Sequence, residues 1–138
     1  MGSVGKEEVI ILKNIITKRN MSFRGDIERL TIKNNFYRKV LFTVPGSMQL
    51  VVMSLNPGEE IGMETHPRIS QFIRVEKGSG LAIVGRKRYI LKDGVAILVP
   101  KGTRHNVINT SKKKKLKLYT VYSPPEHKPG KKEKIKED

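Results

Sequence analysis

The chain has no cysteine, which removes disulfides, thiolate zinc sites and cysteine nucleophiles from consideration. Tryptophan is absent too, and only 4 tyrosines and 4 phenylalanines occur among 138 residues. Stacking platforms of the kind used by single-strand binders are therefore not evident. No apolar run approaches the ~18 residues that suggest a membrane span. The N-terminal "MGSVGKEEVIILKN" has too short an apolar run, and flanks too acidic, for a secretory signal. These absences predict a cytoplasmic protein with no membrane partner.

Acid is scarce. Lysine and arginine number 28 against 13 aspartates and glutamates, a net charge of +15. Such a surface attracts polyanions in a salt-sensitive way, so nucleic acid is an expected partner class. The charge is concentrated in Lys112–Lys115 and in the stretch from Lys128 to Lys136, where five lysines face one acid, Glu133. Runs of this kind are usually solvated. Lysine is also a strongly hydrated point charge, ill suited to specific reading.

Convincing helix is likewise scarce. Residues 1–23 read as an N-terminal arm in which "EEVIILKNII" forms a helical turn or an edge strand. From Asp26 the pattern reads as strand: in "DIERLTI", Leu30 and Ile32 share a face, with Ile27 out of phase. Short β-rich runs follow: "KVLFTV", "MQLVVMSL", "QFIRVEK", "LAIVG", "RYILKDG", "VAILVP", "HNVIN" and "LKLYTVY". Turn signals separate them, among them Pro45-Gly46, "NPGEE" and Pro100 with Gly102. "SPPEHKPGKKEKIKED" has no hydrophobic face and reads as an extended or disordered tail, with His127 exposed and inert. Eight or nine short strands predict an all-β fold, a jelly-roll barrel, over residues 24–125, followed by a basic tail at 126–138.

Two spacings carry the chemistry. The first runs Gly58, five residues, Glu64, one, His66, four, Gln71, six, Gly78. The second runs Gly94, five residues, Pro100, one, Gly102, two, His105, three, Asn109. Fifteen residues, Ser79 to Asp93, separate them. Together they resemble the paired motifs of the cupin superfamily, whose fold is the double-stranded β-helix. The second motif matches at every defined position. The first has Glu64 where cupins usually have His, and Gln71 where they usually have Glu. "SLNPGEEIGMETH", "QFIRVEKGSG", "VPKGTRHNVINT" and "KLYTVYSPPEH" are similar to small single-domain cupins described as mannose-6-phosphate-isomerase-like, in which this Glu-x-His…Gln form is common. The resemblance implies a small-molecule pocket in the barrel, for a sugar or sugar phosphate in some relatives. It implies isomerase, dioxygenase or decarboxylase chemistry, or no catalysis. It also implies a homodimer built through the N-terminal arm.

The residues support a metal site on their own terms. Glu64 and His66 are two apart and project from one face of a strand. Pro67 then ends or bends that strand. Gln71 begins the next and is expected to face His66 across the bend. Gln71, Ile73 and Val75 point inward there, and Phe72, Arg74 and Glu76 outward. His105 arrives from a distant strand. The four polar groups converge in a barrel lined by Met53, Leu55, Ile73, Val75 and Val107. A divalent cation, whether Fe, Mn, Zn, Ni or Co, neutralises the buried carboxylate and lets both imidazoles bind neutral. Its ligands are then Glu64, His66, Gln71 and His105. Glu64 is the candidate catalytic base if it stays off the metal. An ion pair between Glu64 and a protonated His66 or His105 satisfies the same groups without metal. Asn109 is expected to hold backbone groups at a strand end, and Arg104 to be solvated. Two functions follow from different features: a metal-binding cupin, enzyme or sensor, and a non-enzymatic scaffold that uses its basic surface to bind nucleic acid.

Overall fold

The structure is a computed structural model that describes residues 21–137. Most of the 1–23 arm, and any pairing through it, lies outside the described residues. The first element among the described residues is a helix, α1 (Ile27–Lys33), where the sequence predicted a strand. The side chain of Asp26 caps it by accepting the Arg29 N–H at 3.1 Å. Glu28 stands in the first turn and Lys33 in the last, each favourable to the helix dipole. Ile27 broke the strand alternation because Ile27 and Thr31 are helical neighbours: the Thr31 hydroxyl donates to the Ile27 carbonyl at 2.6 Å.

Nine strands follow: β1 (Arg38–Val44), β2 (Met48–Leu55), β3 (Ser70–Lys77), β4 (Gly80–Val84), β5 (Lys87–Leu91), β6 (Ala96–Val99), β7 (His105–Asn109), β8 (Leu116–Ser123) and β9 (Lys132–Glu133). One sheet has the order β6-β3-β8-β2-β1-β9, the other β5-β4-β7, and every pair is antiparallel. The sheets share one core. Val51, Met53, Leu55, Ile73, Val75, Leu118 and Tyr122 come from the larger sheet, and Ala82, Leu91 and Val107 from the smaller. This is the all-β, double-stranded β-helix barrel expected from the sequence. The alternation in β3 is as read, with Gln71, Ile73 and Val75 buried and their neighbours half-buried. In β2 alternation fails, and Val51 to Leu55 are all buried. The reason is α1, which packs against β2, β3 and β8 and covers a second face.

The motif glycines occupy turns, as predicted. Gly78, at φ 118°, is the most constrained of them. A Cβ there would lie 2.8 Å from the Lys115 carbonyl oxygen and 3.1 Å from the Leu116 Cα. Asn109 is a strand-end clamp. Its amide donates to the carbonyls of Leu55, Asn56 and Lys114, and its oxygen accepts from Ser111 N–H.

The C-terminal segment differs from its compositional reading. β9 pairs with β1, Arg38 opposite Glu133 and Lys39 opposite Lys132. Arg38 and Glu133 form an ion pair at 2.7 Å. Burial alone would raise the Glu133 pKa, but the Arg38 hydrogen bond outweighs it and holds the carboxyl below its usual range. Upstream, the Gln49 oxygen accepts from the N–H groups of Glu126 and His127, and its amide donates to the His127 carbonyl at 2.7 Å. His127 is therefore half-buried rather than exposed, edge-on to the Tyr122 ring at 5.2 Å. Main-chain pairing on a sheet edge needs no hydrophobic face, so hydropathy could not signal it.

Gly78→Ala is expected to cost about 2 kcal/mol in chemical denaturation, because strain and a backbone clash coincide. Gly46→Ala, whose added Cβ meets no atom within 4 Å, should cost about 1 kcal/mol. Burial, then the charge of Arg38, push the His127 pKa down from 6.5 to about 4. The folded ring stays neutral over a range in which the unfolded chain takes up a proton. Stability should thus be retained above pH 6.5 and fall as pH drops from there towards about 4. Denaturation midpoints across that window should show a shallower slope for His127→Gln than for the parent chain.

Candidate metal centre

The two motifs meet through the backbone. Glu64 lies in no long strand, yet its N–H donates to the His105 carbonyl at 2.8 Å and its carbonyl accepts the His105 N–H at 2.9 Å. Two residues earlier, Gly62 N–H donates to the Asn106 side-chain oxygen at 2.8 Å. These bonds fasten the first motif along β7. His66 follows on the same face, and its carbonyl accepts the Gly102 N–H at 2.7 Å, tying it to the Pro100–Gly102 corner. Gln71 does not face His66 across a hairpin as expected. Its strand neighbours are Val99 and Tyr122, because Glu64 pairs with the opposite sheet instead. Gln71 reaches the centre by way of His105.

One nitrogen or oxygen from each of Glu64, His66 and His105 lies within 4.8 Å of the others. The His66 and His105 ring centroids are 5.3 Å apart. His105 is 4% exposed, whereas the Glu64 side chain keeps 33%, so the cluster is closed behind and open on the glutamate side.

The His105 ring has its hydrogen bonding largely decided for it. Its Nδ1 lies 2.8 Å from the Thr103 carbonyl, an acceptor only, so that nitrogen carries a proton. In the neutral ring, Nε2 is then a lone pair. It faces the Gln71 side-chain oxygen at 3.0 Å, while the Gln71 amide nitrogen donates to the Thr120 hydroxyl at 2.9 Å. The Gln71 oxygen and Nε2 are two lone pairs that a cation can bridge, and a half-turn of the amide, with Thr120 then donating to its oxygen, pairs the same groups without one. A cation shared with Glu64 and His66 would take up the Nε2 lone pair. The donor set of two imidazole nitrogens, a carboxylate and an amide oxygen fits a divalent transition metal.

His66 stands between two carboxylates. Its Nε2 is 3.2 Å from Glu64 Oε2, and its Nδ1 is 3.5 Å from Glu126 Oε2. A carboxylate behind a ligating histidine is the usual means of fixing ring orientation and raising basicity. Sequence reasoning missed Glu126, and with it Gln49, which holds the Glu126 backbone. The only available signal was "SPPEH", read as tail because no hydrophobic residue accompanies it. Tyr122 completes the wall, edge-on to His66 at 6.1 Å, with burial raising its hydroxyl pKa. Arg104 is exposed, as expected, and takes part only through its carbonyl, which accepts the Gly85 N–H.

A family model described as a cupin domain matches residues 51–122, a span that contains all four candidate ligands. The chain is 43% identical over 119 residues to the uncharacterized protein L612 of Acanthamoeba polyphaga mimivirus, covering 84% of this chain and 74% of that one. It is 44% identical over 111 residues to the uncharacterized protein YrkC of Bacillus subtilis strain 168, covering 76% of this chain and 59% of YrkC. Among solved structures, that of BH2720 from Bacillus halodurans superposes with a TM-score of 0.79 at 40% identity, covering 83% of this chain and 89% of that one. With its barrel, its paired motifs and these relatives in agreement, the chain belongs to the cupin domain family.

Proposed function

We propose that this cupin holds one divalent metal ion through Glu64, His66, Gln71 and His105, and presents it to a small oxygen-rich molecule at the barrel mouth. The observation that carries the reading is the convergence of Glu64, His66 and His105 ligand atoms within 4.8 Å. The His105–Thr103 bond supports it, because it leaves Nε2 free to ligate. Iron, manganese, zinc, nickel and cobalt all suit the donor set. When bound, the ion supplies Lewis-acid polarisation of a carbonyl or hydroxyl oxygen.

The chain's own residues divide the remaining work. His105 is buried and fixed, so it sets the geometry. His66 is kept in line by Glu126 behind it. Gln71 adds an oxygen without charge, so among the ligands one carboxylate faces a dication and the ligand set keeps a net charge near +1, offset in part by Glu126 behind His66. That charge favours an anionic partner, a sugar phosphate or a carboxylate among them. Glu64 is the most exposed member and stands where an incoming molecule would meet it. Off the metal, its carboxylate can take a proton from that molecule, as an isomerase-like reaction requires. Glu126 is a second carboxylate on the other side of His66, close enough to tune that ring.

Protein purified without a chelating affinity tag should contain close to one metal equivalent per chain. The double variant His66→Ala/His105→Ala should contain almost none, and lose the thermal stabilisation that added metal gives the parent. Absence of both metal and thermal shift in the parent chain would leave the ion-pair reading of Glu64 and His66 in its place. Glu126→Gln should weaken metal affinity by about 10- to 100-fold while leaving the stoichiometry unchanged. An unaltered affinity in that variant, read by competition with a chelator, would remove Glu126 from the centre.

A further inference from the structure

The strands that carry ligands to one end of the barrel carry lysines to the other. Gln71 and Lys77 are six residues apart on β3, about 20 Å along an extended chain. Around Lys77 lies a cavity of 690 Å³, within the size range of small-molecule pockets. Its lining includes Lys77, Lys92, Lys114, Lys115 and Lys117, with Asp93 the one acid among the lining residues. Five ammonium groups less one carboxylate leave a local charge of +4. Asp93 is itself engaged, accepting the Gly78 N–H at 2.8 Å. Among the described residues, no carboxylate lies within 4.0 Å of any of the five ammonium groups.

Two further features make this more than a solvated lysine surface. Lys117 is only 7% exposed, held under the end of α1. Its ammonium donates to the Asn34 carbonyl and, at 3.0 Å, to the Asn35 side-chain oxygen. Both partners are neutral, so the charge is solvated but not balanced. Lys77 stands directly opposite Lys117 in the β3–β8 register. Like charges facing each other across a strand pair are destabilising, and an apolar residue at 117 would avoid the cost. Burial, then the charges of Lys115 and Lys77, lower the Lys117 pKa to about 8.

We propose that this cavity is a binding site for a small polyvalent oxyanion of the triphosphate type, free or carried on a nucleoside. Lysines are point charges that do not read planar geometry, which suits a flexible chain of phosphates better than a single carboxylate. The site is separate from the metal centre and does not depend on it.

The test uses the full chain, with inorganic tripolyphosphate and a nucleoside triphosphate as probes in isothermal titration calorimetry. One equivalent of tripolyphosphate should bind at this site, counted apart from any that the metal centre takes up. Lys77→Gln/Lys92→Gln, both at exposed positions, should weaken binding at least tenfold, and Lys117→Met by a similar factor with the fold checked by thermal melting. His66→Ala/His105→Ala should leave it unchanged. The charge-matched control Lys131→Gln/Lys132→Gln, in the C-terminal segment, should change it less than twofold. Equal losses in the control and the cavity variants would overturn the proposal in favour of a diffuse basic surface. So would tight binding of duplex DNA that these five lysines affect alike. Tighter binding of the nucleoside triphosphate than of tripolyphosphate would assign the site to nucleotides, and equal affinity to free polyphosphate.

Discussion

The backbones of Glu64 and His105 exchange two hydrogen bonds, and the candidate centre depends on that exchange. The two residues are far apart in sequence and belong to different motifs. Neither has a reason to be near the other until the segment after Gly62 is laid along β7. Once it is, the side-chain geometry follows. Glu64 and His66 share a face by parity, His105 points into the same space, and Gln71 reaches it from the other sheet. The Thr103 carbonyl then settles which nitrogen of His105 is available. A metal would be bound by side chains that the main chain has already placed, so little ordering entropy remains to be lost on binding.

The parts of this arrangement that were legible in the sequence are those governed by short-range rules. Period-two alternation placed Gln71, Ile73 and Val75 on the inner face of β3, and that is where they are buried. The glycines of both motifs marked turns, and Asn109 sat at a strand end with four backbone partners. What was not legible depended on competition or on distance. "DIERLTI" carries residues compatible with either element, and a single cap, Asp26, tipped it to helix. Gln71 was expected opposite His66 because the two are close in sequence, whereas Glu64 had a better partner across the barrel. Glu126 and His127 were assigned to a free tail because composition registers hydrophobic faces, not the hydrogen bonds of Gln49 or the main-chain pairing of β9.

The net charge of +15 takes on a location in the fold. Part of it is paired: Arg38 and Lys131 share Glu133. Part lies near the cavity at the far end of β3 and β8, where Lys117 is buried opposite Lys77. The barrel thus places a compact acid-and-imidazole cluster at one end and an excess of cations at the other. No helix among the described residues is long and apolar enough to cross a membrane.

The proposed metal centre brings four side chains, Glu64, His66, Gln71 and His105, onto one cation. A crystal structure of the manganese- or zinc-loaded protein, with diffraction recorded at the metal absorption edge, examines it most directly. One strong anomalous peak is expected about 2.0–2.3 Å from His66 and His105 Nε2 and from a Glu64 oxygen, with the Gln71 oxygen at or just beyond that distance. A peak elsewhere, such as beside the unpaired His127 Nε2, or no peak with His105 still hydrogen bonded to Gln71, would contradict it.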